Sequence, residues 1–206
     1  MYIAEELADR IAKGILHPNE HLVETVLAEE FNASRAPVRE ALLMLERDKL
    51  VTRVPHHGFV VKKFTRDEIH QLYDATFRLE EIVMQKAIDS ATDEDLAELD
   101  DILRRQKEAV DRKDVLGYYE LNEVYHYTLF RIANNNFLTE FHRSLRKSSR
   151  PLSLLNMGQS TNLYNSFDEH VKQVEALKAK DKEKALAAIR EQESRSLKTL
   201  DFIYRV

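Results

Sequence analysis

The 206-residue sequence predicts a mainly α-helical protein, an N-terminal winged helix-turn-helix with a small β-hairpin wing followed by an all-helical six-helix bundle. Three observations carry this expectation. Glycine and proline number four each, and residues 56–150 contain no proline; at ordinary usage of about 7%, glycine alone would number roughly fourteen. Apolar residues recur at helical spacing along nearly the whole chain. The alternating strand period is confined to residues 51–61, around a single turn. The implied domains are residues 1–64 and residues 65–206.

The elements follow in order. Ile3, Leu7, Ile11 and Ile15 define one helical face that ends at Gly14. His17 to Glu20 read as a turn. A second helix turns Val26, Leu27 and Phe31 inward and stops at Asn32, which tolerates the left-handed backbone. Ser34 is a candidate N-cap for a third helix, and Pro37 sits in its first turn, where a missing N–H does little harm. Val38, Ala41, Leu42 and Leu45 face inward on that helix. Arg35 and Arg39 lie four apart on another face, near its positive N-terminus. Val51 to Val54 and Phe59 to Val61 then flank Gly58 as a two-stranded hairpin. Three helices and a hairpin make a winged helix, whose third helix enters the major groove.

Charge agrees with this reading. Residues 1–34 carry net −5, residues 35–66 net +5 and residues 67–206 net −5. An otherwise acidic chain thus offers one basic segment to a polyanion. Cysteine is absent, which excludes disulfides, thiolate nucleophiles and cysteine-ligated metals. No apolar run approaches the roughly 18–20 residues of a membrane span. Glu5, Glu6 and Asp9 are unsuited to a signal peptide. A cytoplasmic protein with no membrane partner is expected.

The run from Leu27 to Leu42, with Ser34-Arg35-Ala36-Pro37-Val38-Arg39-Glu40-Ala41-Leu42 at its centre, resembles the DNA-binding signature of GntR-family bacterial transcription factors. The resemblance covers about residues 2–63. It implies that Arg35 clamps phosphate or a guanine edge, and that Arg39 reads guanine in a bidentate way. Ala36 and Pro37 match the short residues at the helix tip, and His56, His57 and Gly58 match the wing tip. Ser34, Lys49 and Arg53 complete the expected surface. Asn19, Asn32 and Lys49 stand where relatives usually carry glycine. Thr25 occupies a position where relatives commonly carry a basic DNA contact.

After Phe64 six helices are expected. Thr65 to Glu68 resemble a capping box that opens the first, over Ile69, Leu72, Tyr73, Leu79, Ile82 and Val83. Thr92 or Asp93 caps the second. Asp114 starts the third, with Leu121, Val124, Tyr125, Leu129 and Ile132. The fourth carries Leu138, Phe141 and Leu145 towards Pro151. A fifth spans about 163–179, and Asp181 caps the sixth. This arrangement resembles the short six-helix FCD effector domain of the FadR-type branch. Many relatives hold a divalent metal there with one aspartate and three histidines. Asn122 falls at the aspartate position, His126 and His170 at two histidine positions, and Gln192 at the third. Two amides weaken such a site, so any zinc or nickel would be held weakly, chiefly by His126 and His170, and no other cofactor is expected. The same four side chains could instead floor a metal-free effector pocket. Arg131, Arg143, Arg146, Arg150 and Arg195 are candidate donors to an acidic effector.

The function implied is a ligand-responsive transcription regulator and not an enzyme. It would be a repressor that binds a pseudo-palindromic double-stranded DNA operator as a homodimer and answers to a small organic acid. Two alternatives stand beside it. One is a constitutive architectural DNA binder. The other is a helical metalloenzyme built on Glu123-x-x-His126, which lacks the second E-x-x-H motif that a di-iron site needs.

Overall fold

The computed structural model describes residues 2–55, 58–159 and 161–204. Its elements run α1 (Tyr2–Ala12), β1 (His21–Leu22), α2 (Glu24–Glu30), α3 (Arg35–Arg47), β2 (Val51–Val54), β3 (Gly58–Val61), α4 (Arg66–Ser90), α5 (Asp93–Asp111), α6 (Val115–Ile132), α7 (Asn136–Met157), α8 (Asn162–Lys178) and α9 (Lys182–Ile203). They form two units: Met1–Thr65 with the α7 segment Lys147–Leu152, and Arg66–Arg146 with Ser153–Val206. Among the described residues no helix is long and apolar enough to cross a membrane.

The first unit is a winged helix. Leu7 and Ile11 of α1, Leu27 of α2, and Val38, Leu42 and Leu45 of α3 close on one core with Leu22, Val51, Phe59 and Val61. The wing is a three-stranded antiparallel sheet of order β1-β3-β2, one strand more than expected. The residues read as leading into the second helix supply the extra strand, pairing His21 with Val60 and Leu22 with Phe59. Only Leu22 of that pair is buried, so two residues show no readable alternation. Val26, expected inward, is exposed because the short α2 presents only Leu27 and Ala28 to the core. Phe31 is half-buried against it.

Among the described residues, five helices end the same way, on a left-handed residue whose N–H and the next bond back into the last turn. Gly14 does so after α1, but Asn32, Lys49, Lys113 and Lys180 do so after α2, α3, α5 and α8. Their φ values of 48°, 58°, 55° and 54° lie where glycine is least strained. These ends account for part of the chain's poverty in glycine.

The second unit is all helical. α4 packs on α6, α8 and α9, and α5 packs on α6 and α8. Thr92, Asp114 and Asp181 cap α5, α6 and α9 as expected, Thr92 in a reciprocal capping box with Asp95. α7 does not end near Pro151 but continues to Met157. Ile82, Val124 and Phe141, expected inward, are exposed. The buried stripe of α4 instead runs through Tyr73, Thr76, Phe77, Glu80 and Met84, and His142 of α7 is buried in place of Phe141. In both helices a polar residue holds a position at core spacing, and the reading by apolar residues alone slipped to the neighbouring face.

Candidate functional site

Two places carry chemistry. The first is the exposed face of α3. Val38, Ala41, Leu42 and Leu45 are buried and fix the helix. The opposite face then presents Ser34, Arg35, Ala36, Pro37 and Arg39 to solvent. Ser34 has the extended backbone of an N-cap, φ −77° and ψ 166°, but its side chain makes no capping bond. The first-turn N–H groups and the positive end of the helix dipole therefore face outward, an arrangement suited to phosphate. Pro37 is the third helical residue, so its missing N–H removes no intrahelical bond.

Both arginines share a partner that the sequence reading overlooked. Glu24, at the start of α2, accepts from Arg35 Nη2 at 3.2 Å and from Arg39 Nη1 at 3.0 Å. Its side chain is only 13% exposed, whereas those of Arg35 and Arg39 are 67% and 49% exposed. The carboxylate thus holds two exposed guanidinium groups side by side. Thr25 is exposed and lines one open depression with Arg35. Lys49, Arg53 and Gly58 are exposed as well, Gly58 with φ 80°. His56 and His57 lie outside the described residues.

The second place is a buried polar centre in the helical unit. Asn122 and His126 lie one turn apart on α6, His170 on α8 and Gln192 on α9, and all four are buried. The His126 and His170 rings stand 5.5 Å apart, edge to face. Gln192 Oε1 accepts from Gln173 Nε2 at 2.9 Å, and Gln173 Oε1 accepts from the Tyr125 hydroxyl at 2.9 Å. The Tyr125 ring stacks on His170 at 4.0 Å. The four residues therefore meet within one connected cluster. His170 Nδ1–H donates to Gln106 Oε1 at 3.0 Å, which leaves Nε2 as the bare nitrogen. Burial, with the charges of Arg146 and Arg195 beside it, pushes His170 down to about 3. Burial and Arg146 hold His126 well below the usual histidine range. Both rings are neutral near pH 7. Among the buried atoms without a hydrogen-bond partner are both amide atoms of Asn122, His126 Nδ1, His170 Nε2 and Gln106 Nε2.

A third cluster shares His126. Glu80 on α4, His126 on α6 and His142 on α7 present ligand atoms within 4.8 Å of one another, and all three are buried. This group could hold a metal. The amide-containing set fits one less well, since Gln192 Oε1 already accepts from Gln173. Of the candidate arginines, Arg131 is engaged by Asp95 and Glu98, Arg146 by Glu123 and Arg195 by Glu169. The pairing of Glu123 with Arg146 also takes that carboxylate out of any E-x-x-H arrangement with His126.

The family model for gntR-family bacterial regulatory proteins matches residues 2–61, and the model for the FCD domain matches residues 71–192. This chain belongs to the GntR family. It is a DNA-binding transcription regulator, as its relatives are, and not an enzyme. The gluconate operon transcriptional repressor of Bacillus licheniformis is 30% identical over 91% of this chain and 79% of its own. The HTH-type transcriptional regulator McbR of Escherichia coli is 27% identical over 89% of this chain and 84% of its own. Among solved structures, E. coli McbR/YncC superposes with a TM-score of 0.81 at 24% identity, over 98% of this chain and 97% of the other. That last likeness is one of fold. This GntR-family chain thus pairs a winged helix with an FCD bundle. Glu80 and His142 stand outside the positions that match the family's ligands. The available signal was a carboxylate and an imidazole at core spacing on otherwise apolar stripes.

Proposed function

We propose that this GntR-family protein is a repressor that binds a pseudo-palindromic operator as a homodimer and releases it when a small polyhydroxy organic acid enters the FCD bundle. The observation that carries the effector half is the group of buried polar atoms without partners. Asn122 offers a donor and an acceptor, Gln106 Nε2 a donor and His170 Nε2 an acceptor. Buried polar groups left unsatisfied are costly, and each calls for a partner. A hydroxylated carboxylate supplies both donors and acceptors in a small volume. The similarity to gluconate operon repressors supports the same ligand class. The DNA half rests on Arg35 and Arg39 at the exposed tip of α3.

The test is an operator titration with and without gluconate and a panel of related acids. Two chains should bind per duplex. Arg39→Ala should cost about 1–3 kcal/mol and relax preference at one base pair per half-site. Arg35→Ala should weaken all duplexes more evenly if its partner is phosphate. His126→Ala should abolish the response to the acid and leave acid-free DNA affinity nearly unchanged. An Arg39→Ala protein with wild-type operator affinity would remove the readout role, and normal release by His126→Ala would remove the pocket from this centre.

A further inference from the structure

We propose that this protein carries a divalent transition-metal site formed by Glu80, His126 and His142, displaced from the four positions that the family resemblance implies. Three observations converge on it. Glu80 Oε1 stands 3.3 Å from His126 Nδ1 and 3.3 Å from His142 Nε2. That is long for a charge-assisted hydrogen bond, which runs about 2.7–2.9 Å. It matches the edge of a tetrahedron whose centre lies about 2.0–2.1 Å from each ligand, an edge of roughly 3.3 Å. The second observation is that His126 Nδ1 is buried with no hydrogen-bond partner, although a carboxylate oxygen lies beside it. On the His126 side this is distance without bonding geometry, as two ligands of a common ion show towards each other, whereas His142 Nε2 hydrogen-bonds the same carboxylate oxygen. The third is chemical. The resemblance-implied set has lost its aspartate to Asn122, whereas Glu80 brings a carboxylate beside two imidazoles.

The surroundings hold the ligands in place. Three different helices supply them, and Phe130 stacks on His142 at 3.9 Å. Arg146, the nearby positive charge, is paired with Glu123. One carboxylate and two imidazoles suit zinc or nickel and leave a coordination position open for water or an anionic group.

The experiment uses the full-length protein stripped with a chelator and titrated with zinc and nickel salts by calorimetry, with bound metal counted by elemental analysis. Wild type should take up one ion per chain. Glu80→Gln and His142→Asn should each weaken uptake by about 100-fold or more, whereas His170→Asn should change it by less than about threefold. His142→Cys gives a readout independent of folding energetics. The chain has no other cysteine, so X-ray absorption of the zinc-loaded variant should show one Zn–S shell near about 2.3 Å. No stoichiometric uptake by wild type, loss with His170→Asn and retention with His142→Asn, or a zinc-loaded His142→Cys protein without a sulfur shell would each overturn the assignment.

Discussion

Glu24 sets how Arg35 and Arg39 are presented at the exposed start of α3. A carboxylate beside two guanidinium groups orients them, and it also places a negative charge near phosphate. Replacing it with glutamine removes the charge and loosens the orientation. Glu24→Gln should therefore raise affinity for random duplex while lowering preference for operator over random duplex by about 5–30-fold, or 1–2 kcal/mol. Competition binding at several salt concentrations measures both, and an unchanged ratio would show that Glu24 does not order the pair. The placing of Arg35 and Arg39 at the exposed start of α3 was legible in the sequence because the first turn and the apolar stripe are local and in register. Glu24 was not, because its contacts to Arg35 and Arg39 depend on how the α2–α3 turn folds back, and no single helix period encodes that.

At the scale of elements, α8 and α9 are joined by a bidentate pair in which Arg195 donates to both oxygens of Glu169, at 2.6 and 2.7 Å. Burial raises Glu169 above the usual carboxylate range even with Arg195 in place. Its proton is held more tightly in the folded state, so its contribution to stability falls as pH rises through the folded pKa. Arg195→Met leaves that carboxylate buried without a cation, and near pH 7 it should cost about 3 kcal/mol. Towards pH 5 the cost should shrink, because Glu169 then takes up a proton. Urea melts at the two pH values decide this, and a pH-independent cost would show that the loss is one of packing alone. Helix starts were readable because Thr92, Asp114 and Asp181 act on their own next turn. The continuation of α7 through Pro151 was not, since proline removes one N–H but tertiary packing still carries the helix past it. Strand β1 escaped notice for a related reason: two residues hold no period, and their pairing partner β3 lies far along the chain.

Across the whole molecule, charge and periodicity change near residue 65, where the first unit gives way to the second, whereas no such signal marks the α7 segment Lys147–Leu152, which belongs to the first unit. The Glu80–His126–His142 group was less plain, because Glu80 and His142 lie 62 residues apart in sequence and come together only when α4, α6 and α7 assemble. The left-handed helix ends have a bearing on heat tolerance. Lys113 and Lys180 pay backbone strain at positions where glycine would not, and they sit away from both candidate sites in sequence and role. Glycine's greater freedom in the unfolded chain offsets part of the relief, leaving a net gain of about 0.5 kcal/mol per replacement. Lys113→Gly and Lys180→Gly share no partner, so their effects should add, raising Tm by about 2–4 °C in the double variant. Calorimetry of the single and double variants tests the sum; a fall in Tm would mean that the lysines stabilise these ends by other contacts. Such replacements would harden the helix ends and leave the residues of both candidate sites untouched.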